Sequence, residues 1–234
     1  MGLEIEGRPS DSPYVSYVWR SRSEGVDRMT AVASARWDLV FWQSRGGFHA
    51  AVAGPESRVS TAPVPEEAAF FGITFALGTT LTHLPAPRLV DGGLDIPDAT
   101  RRSFWLKDAH WPVPGPDDAE AFAQRLVRAG VLVRDPLVTE VMRGGTPDAS
   151  PRTAQRRFRA ATGFTHGAAR QIERARHAAV LLRGGAAAGD VVHRLGYYDE
   201  PHLARALGRF VGRTAGQLRD DPRPAQPLSL LYKT

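Results

Sequence analysis

Arg152, Gln155 and Arg156 stand close together in the stretch SPRTAQRRFRAATG at 150–163. An arginine guanidinium can donate two parallel hydrogen bonds to O6 and N7 of a guanine, and a glutamine amide can pair with N6 and N7 of an adenine. That chemistry needs a short rigid rod to carry the side chains, and the stretch has the signals of one. The Ser150 side chain can cap a helix, Pro151 suits the first helical position, and Gly163 offers the left-handed conformation that ends it. Ala154, Phe158 and Ala161 fall at i, i+4 and i+7 and predict one buried stripe, which leaves Arg152, Gln155, Arg156 and Arg159 on other faces. By itself the pattern equally describes a basic helix turned to solvent, since runs of charge are usually surface.

A degenerate copy lies 49 positions further on: HLARALGRFVG at 202–212 lies over TAQRRFRAATG at 153–163. Arg205 falls on Arg156, Leu207 on Phe158 and Gly212 on Gly163, and a threonine follows two residues after each glycine, Thr165 and Thr214. Each copy is preceded by an apolar segment and a turn, so the pair predicts a doubled helix-turn-helix. The first scaffold segment is 135–143, with Asp135 as cap, and the second is 189–195. A long helix over 166–182, with Ile172, Ala175, Ala179 and Leu182 as its apolar line, joins the units. The first turn, GGTPDA, is longer than the usual three or four residues.

Charge is distributed unevenly to match. Residues 1–150 hold 15 Lys/Arg against 19 Asp/Glu, a net charge of −4, whereas residues 151–219 hold 13 Arg against 4 Asp/Glu, a net charge of +9. A basic third beside an acidic remainder is the footprint of a polyanion-binding module next to a module with another task. There is no cysteine among the 234 residues, which excludes disulfides, thiolate catalysis and cysteine-based zinc sites and is compatible with a cytoplasmic location. The start of the chain lacks the pattern of a signal peptide, and no apolar run approaches membrane-spanning length.

The remaining sequence predicts an α+β organisation, a mainly-β barrel-like or sandwich-like domain over 1–115, an all-α double helix-turn-helix domain over 116–220, and a flexible tail over 221–234. Strands are expected at 14–19, 29–35, 38–43, 48–53, 58–61 and 70–77, separated by turn-like clusters. A helical turn is expected at 81–84, a short helix at 99–106 and a better one at 117–129, with Phe122, Leu126 and Ala129 as its buried stripe. Trp19, Phe41, Trp42, Phe70 and Phe71 supply enough aromatic surface to line an effector pocket, although aromatic side chains in strands are more often core. His49, His83 and His110 are isolated, so no metal ligand set and no cofactor is expected.

Residues 136–219 resemble the C-terminal DNA-binding domain of AraC/XylS-type transcription regulators. The resemblance is carried by SPRTAQRRFRAATG, by IERARHAAVLL at 172–182, and by the run from Leu195-Gly196-Tyr197 through His202-Leu203-Ala204-Arg205 to Gly212-Arg213-Thr214. It implies two recognition helices entering successive major-groove segments of double-stranded DNA. By position, it implies base reading by Arg152, Gln155 and Arg156 in the first helix and by Glu200, His202 and Arg205 in the second. Arg157, Arg159, Arg194 and Arg209 are then the phosphate candidates. It further implies RNA polymerase as a partner and a front domain that binds a small effector, dimerises, or both. The chain departs from the family pattern at Val141-Met142 and GGTPDA, at Leu207 and Gly208, and at Thr214-Ala215.

Three functions follow from these observations. The first is a sequence-specific DNA-binding transcription regulator. The second is a non-specific architectural DNA-binding protein, which would not need paired Arg/Gln helices. The third is an enzyme. Alkyl-transfer repair sometimes sits beside such a domain, but its acceptor is a cysteine, and no nucleophile elbow, phosphate loop or metal motif is present. No catalytic residue is therefore expected.

Overall fold

A computed structural model describes residues 2–25 and 27–220. The front half is organised by a six-stranded antiparallel sheet. Its strands are β1 (Gly2–Pro9), β2 (Val15–Glu24), β4 (Asp38–Ser44), β5 (Gly47–Ala53), β7 (Ala69–Phe75) and β9 (Gly93–Ile96), in the spatial order β1-β2-β7-β4-β5-β9. Side chains alternate between faces along a strand, so the register decides what each face carries. Leu39 lies opposite Val52 and Ile73, and Phe41 opposite Ala50 and Phe71, which makes one apolar face. Val40 lies opposite Gly72, and Trp42 opposite His49 and Phe70, which makes the other. Two further strands, β3 (Arg28–Ala31) and β6 (Ser60–Pro63), pair with each other outside this sheet.

Helix α2 (Ala119–Arg128) covers the Phe41 face. Phe122, Ala123 and Leu126 are fully buried there, and Phe104 bridges the layers, 5.0 Å from the Phe41 ring and 6.0 Å from that of Phe122. Arg8 at the end of β1 ties α2 down through a 2.6 Å ion pair to Glu120, and that guanidinium holds the Glu120 carboxyl down at about 2. Residues 116–134, expected in the helical half, thus pack with the sheet instead. The amphipathic stripe of 117–129 marked a buried face but not which core would bury it. Strand β12 (Leu132–Arg134), directly after α2, pairs with β8 (Thr79–Leu81), and the chain crosses to the helical half at Asp135.

Two smaller expectations are also corrected. The helix expected at 99–106 is in part β10 (Ser103–Leu106), paired with β11 (Ala109–Pro112). Phe104 and Leu106 point inward while Trp105 is exposed, and Lys107 and Asp108 take the left-handed conformation that a two-residue hairpin turn requires. The segment 81–84 closes as a tight turn with Leu81 bridging to Leu84 rather than as a turn of helix. The tail expected at 221–234 lies outside the described residues.

The helical half contains α3 (Pro136–Met142), α4 (Pro151–Thr162), α5 (His166–Arg183), α6 (Ala188–Leu195), α7 (Glu200–Phe210) and α8 (Ala215–Asp220). Its core gathers around α5, where Ala169, Ile172, Ala175, Ala178, Ala179 and Leu182 are buried. Among the described residues no helix is long and apolar enough to cross a membrane.

The two halves share a seam rather than a linker alone. Val32, Ala33 and Ala35, just after β3, are buried in the helical core. Beside them Arg36 forms a bidentate ion pair with Glu173 of α5, both contacts at 2.7 Å. Burial pushes the Glu173 carboxyl up, but the Arg36 and Arg176 charges outweigh it and hold it below its usual range. At the sheet end of the seam Asp38 is raised by burial, against hydrogen bonds from Thr74 and Trp19. Glu56 is pushed up to about 7, first by burial and then by the nearby Asp38 and Asp91 charges.

Two expectations follow. Phe122→Ala should cost about 3–5 kcal/mol, read as a lowered midpoint in denaturant unfolding, because it empties a fully buried site between sheet and helix. Glu56 binds its proton more tightly in the folded state than its ordinary value of 4.5 allows, so its contribution is complete below about pH 4.5 and is lost as pH rises to about 7. Glu56→Gln should therefore match the wild type near pH 4.5 and be more stable by about 1–3 kcal/mol at pH 8. A stability difference that stays constant across that range would contradict the raised carboxyl.

Candidate nucleic-acid interface

Helix α4 is set by its ends and its neighbours. The Ser150 hydroxyl accepts a hydrogen bond from the Thr153 backbone N–H at 3.3 Å, and Gly163 closes the helix at φ 81°. Phe158 is 1 % exposed and anchors the inner face, with the His166 ring edge-on at 5.6 Å. Thr162 is buried beside it, whereas the expected Ala154 and Ala161 are half-buried. Arg152, Gln155, Arg156 and Arg159 are exposed. They line a groove of about 1050 Å³ along α4, bounded also by Pro87 and His166. Burial and the Arg170 charge lower the His166 imidazole, so it is neutral at neutral pH.

Arg157, the remaining arginine of α4, is also exposed and is engaged by a carboxylate. Its Nε and terminal nitrogen donate to the two Asp135 carboxylate oxygens at 3.0 and 2.6 Å. Asp135 also caps α3 by accepting from the Leu137 N–H. The pair links α4 to the start of α3. Sequence spacing could not show this, because four arginines in eight residues look alike until the partner helix is placed.

Helix α7 repeats the construction. Asp199 accepts from the His202 N–H at 2.7 Å and caps the helix, and Leu203, Leu207 and Phe210 are buried. Glu200 and Arg205 are exposed, and His202 is half-buried. The His202 Nδ1 accepts from the Tyr198 N–H at 3.3 Å, and its ring stands edge-on to Tyr197 at 5.3 Å. With Nδ1 accepting, the neutral imidazole carries its proton on Nε2, which makes that atom a donor suited to a phosphate oxygen or a guanine acceptor. Tyr197 is itself held by the Arg174 guanidinium, 4.4 Å from its ring centre.

Tyr198 was not singled out from the sequence. It is 91 % exposed at the turn into α7, an aromatic placed beside the candidate base-reading side chains. The signal available was the doubled tyrosine in GYYD, since only one of the two can serve the core. Of the other phosphate candidates, Arg159 and Arg194 are exposed, and Arg209 is exposed with its guanidinium 5.0 Å from the Phe210 ring centre.

The aromatic residues expected to line one effector pocket are divided by the sheet. Phe41 is 1 % exposed in the core under α2, and Phe71 packs on the same side, 5.9 Å from it. Trp19, Trp42 and Phe70 lie on the opposite face, half-buried, with Trp42 stacked on His49 at 5.0 Å and Trp19 lying over Gly72. Alternation along β4 forces this division, because residues 41 and 42 cannot share a face. Of the isolated histidines, His49 and His110 each pack on a tryptophan, Trp42 and Trp105.

No curated protein and no solved structure gives a significant match to the chain. Residues 148–221 match the family model of a helix-turn-helix domain.

Proposed function

We propose that this chain is a sequence-specific DNA-binding regulator of transcription that presents α4 and α7 to successive major-groove segments. The observation that carries this reading is the pair of short capped helices at either end of α5. Each is anchored inward by a buried aromatic or leucine row and turns arginine outward, with Gln155 beside it on α4 and His202 on α7. The +9 charge of residues 151–219 would draw the unit to the duplex and supply the salt-dependent part of binding. Arg159, Arg194 and Arg209 would fix register on the phosphates, and Arg152, Gln155, Arg156, Glu200, His202 and Arg205 would read base edges.

Control by a small molecule belongs to the same proposal. Trp19, Trp42 and Phe70 form the half-buried face on which an effector would bind, and such a molecule acts only through different affinities for the DNA-competent and incompetent states. RNA polymerase and a second copy of the chain are the protein partners this reading calls for, and it assigns no catalytic step. A non-specific architectural protein would need the same positive charge but no base-reading set.

Selection of duplexes from a random pool by the full chain, in excess competitor, decides between the two. The regulator reading predicts an enriched motif of two short half-sites, and binding to any duplex alike would overturn it. On the enriched duplex Arg156→Ala should cost about 1–3 kcal/mol and relax preference at one base pair. An equal loss on every sequence would remove the base-reading role from Arg156.

A further inference from the structure

The carbonyls at a helix C-terminus lack intrahelical partners and need others. At the end of α7 two of them are satisfied from the front half of the chain. The Arg209 carbonyl accepts from the Val59 N–H at 2.9 Å, and the Phe210 carbonyl from the Ala33 N–H at 2.8 Å. These donors are themselves tied together, since Ser34 and Glu56 exchange backbone hydrogen bonds of 3.0 and 2.8 Å. Gly212, at φ 75°, comes so close that a Cβ there would stand 2.8 Å from a Val59 methyl carbon.

Helix α4 ends against the front half as well. A Cβ on Gly163 would lie 2.4 Å from a Val90 methyl carbon and 3.3 Å from the Ala86 carbonyl oxygen in α1 (Ala86–Leu89). Between the two readers, α5 is held by the Arg36–Glu173 pair and by Arg176, which is 5 % exposed and donates to the Ala33 carbonyl at 2.8 Å. Segment 32–36 seats both α5 and α7, and Val59 adds a second seat for α7.

We propose that the front half positions the two readers relative to each other, with 32–36, Val59 and Val90 as positioning residues that set the half-site spacing the chain accepts. This rests on the reading of α4 and α7 as base readers. A helix that touches no base contact can still fix the distance and phase between two base-reading helices, and DNA converts that phase into selectivity because half-sites repeat with the duplex turn. The front half is on this account part of the reader, whatever else it binds.

The test uses the full chain on the duplex it selects, with the separation of the half-sites changed by one and two base pairs in each direction. Arg36→Gln with Glu173→Gln removes both charges of the pair together, and Arg176 keeps its hydrogen bond to the Ala33 carbonyl. Val59→Pro removes the donor to α7 and serves as an independent second variant. Thermal melting identifies the variants that fold. The wild type should lose about tenfold in affinity per displaced base pair. A folded variant should keep its half-site sequence preference and lose no more than about threefold. A variant with the wild-type spacing profile, or one weakened equally at every spacing, overturns the positioning role and leaves the base readers standing. A wild type that selects no site overturns the base-reading proposal, and this inference with it.

Discussion

Everything in the helical half depends on the packing of α5. Both candidate readers pack on it, and its 18 residues make a rod about 27 Å long. Its buried face is mostly alanine, at 169, 175, 178 and 179, with Ile172 and Leu182 as the larger anchors. Small side chains let neighbouring helices approach closely, so modest displacements of α4 or α7 would meet backbone rather than a yielding side chain. Such a core suits a frame that must hold two short helices at fixed separation. It has little tolerance of its own for a loose partner, and the buried Arg176 shows where the frame is braced from outside.

The front half solves a different problem. A six-stranded sheet with apolar residues on both faces must cover both. Helix α2 and the β10–β11 hairpin bury Phe41 and leave Phe48 and Phe71 half-buried at its side, and the Trp42 face keeps its aromatic residues half-buried. The polar seam, with Asp38, Glu56, Arg36, Glu173 and Arg176, lies where the sheet meets α5. Buried charge is costly unless it is paired, and here the pairing crosses from one half to the other.

Much of the helical half was legible in the sequence because helix ends have local causes. Ser150, Pro151 and Gly163 mark α4, and Asp135 marks the start of α3, without reference to anything distant. The buried line of α5 followed from periodicity in the same way. What the sequence did not yield was every decision made by a partner. Periodicity gave α2 a buried stripe but not a core to bury it in, so it was assigned to the wrong half. Strand β1, GLEIEGRP, lies at the edge of the sheet among the described residues and lacks the run of β-branched and aromatic residues that marks the inner strands. Arg176 is indistinguishable by type from the exposed arginines around it, and only the position of the Ala33 carbonyl separates it. The exposure of Arg152, Gln155 and Arg156 depends on spacing along one helix and could be read from it, while the grouping of the five aromatic residues depended on which sheet face each took and could not.

The most direct measurement is guanine-methylation interference on a duplex selected by the full chain. Methylation at N7 blocks a major-groove acceptor of the kind an arginine would use, so it reports on the groove edge itself rather than on the phosphates. Two clusters of interfering guanines on one face of the duplex, about one helical turn apart, are the expected result. Interference confined to a single cluster, or none against uniform salt-sensitive binding, would contradict an account in which α4 and α7 both read bases.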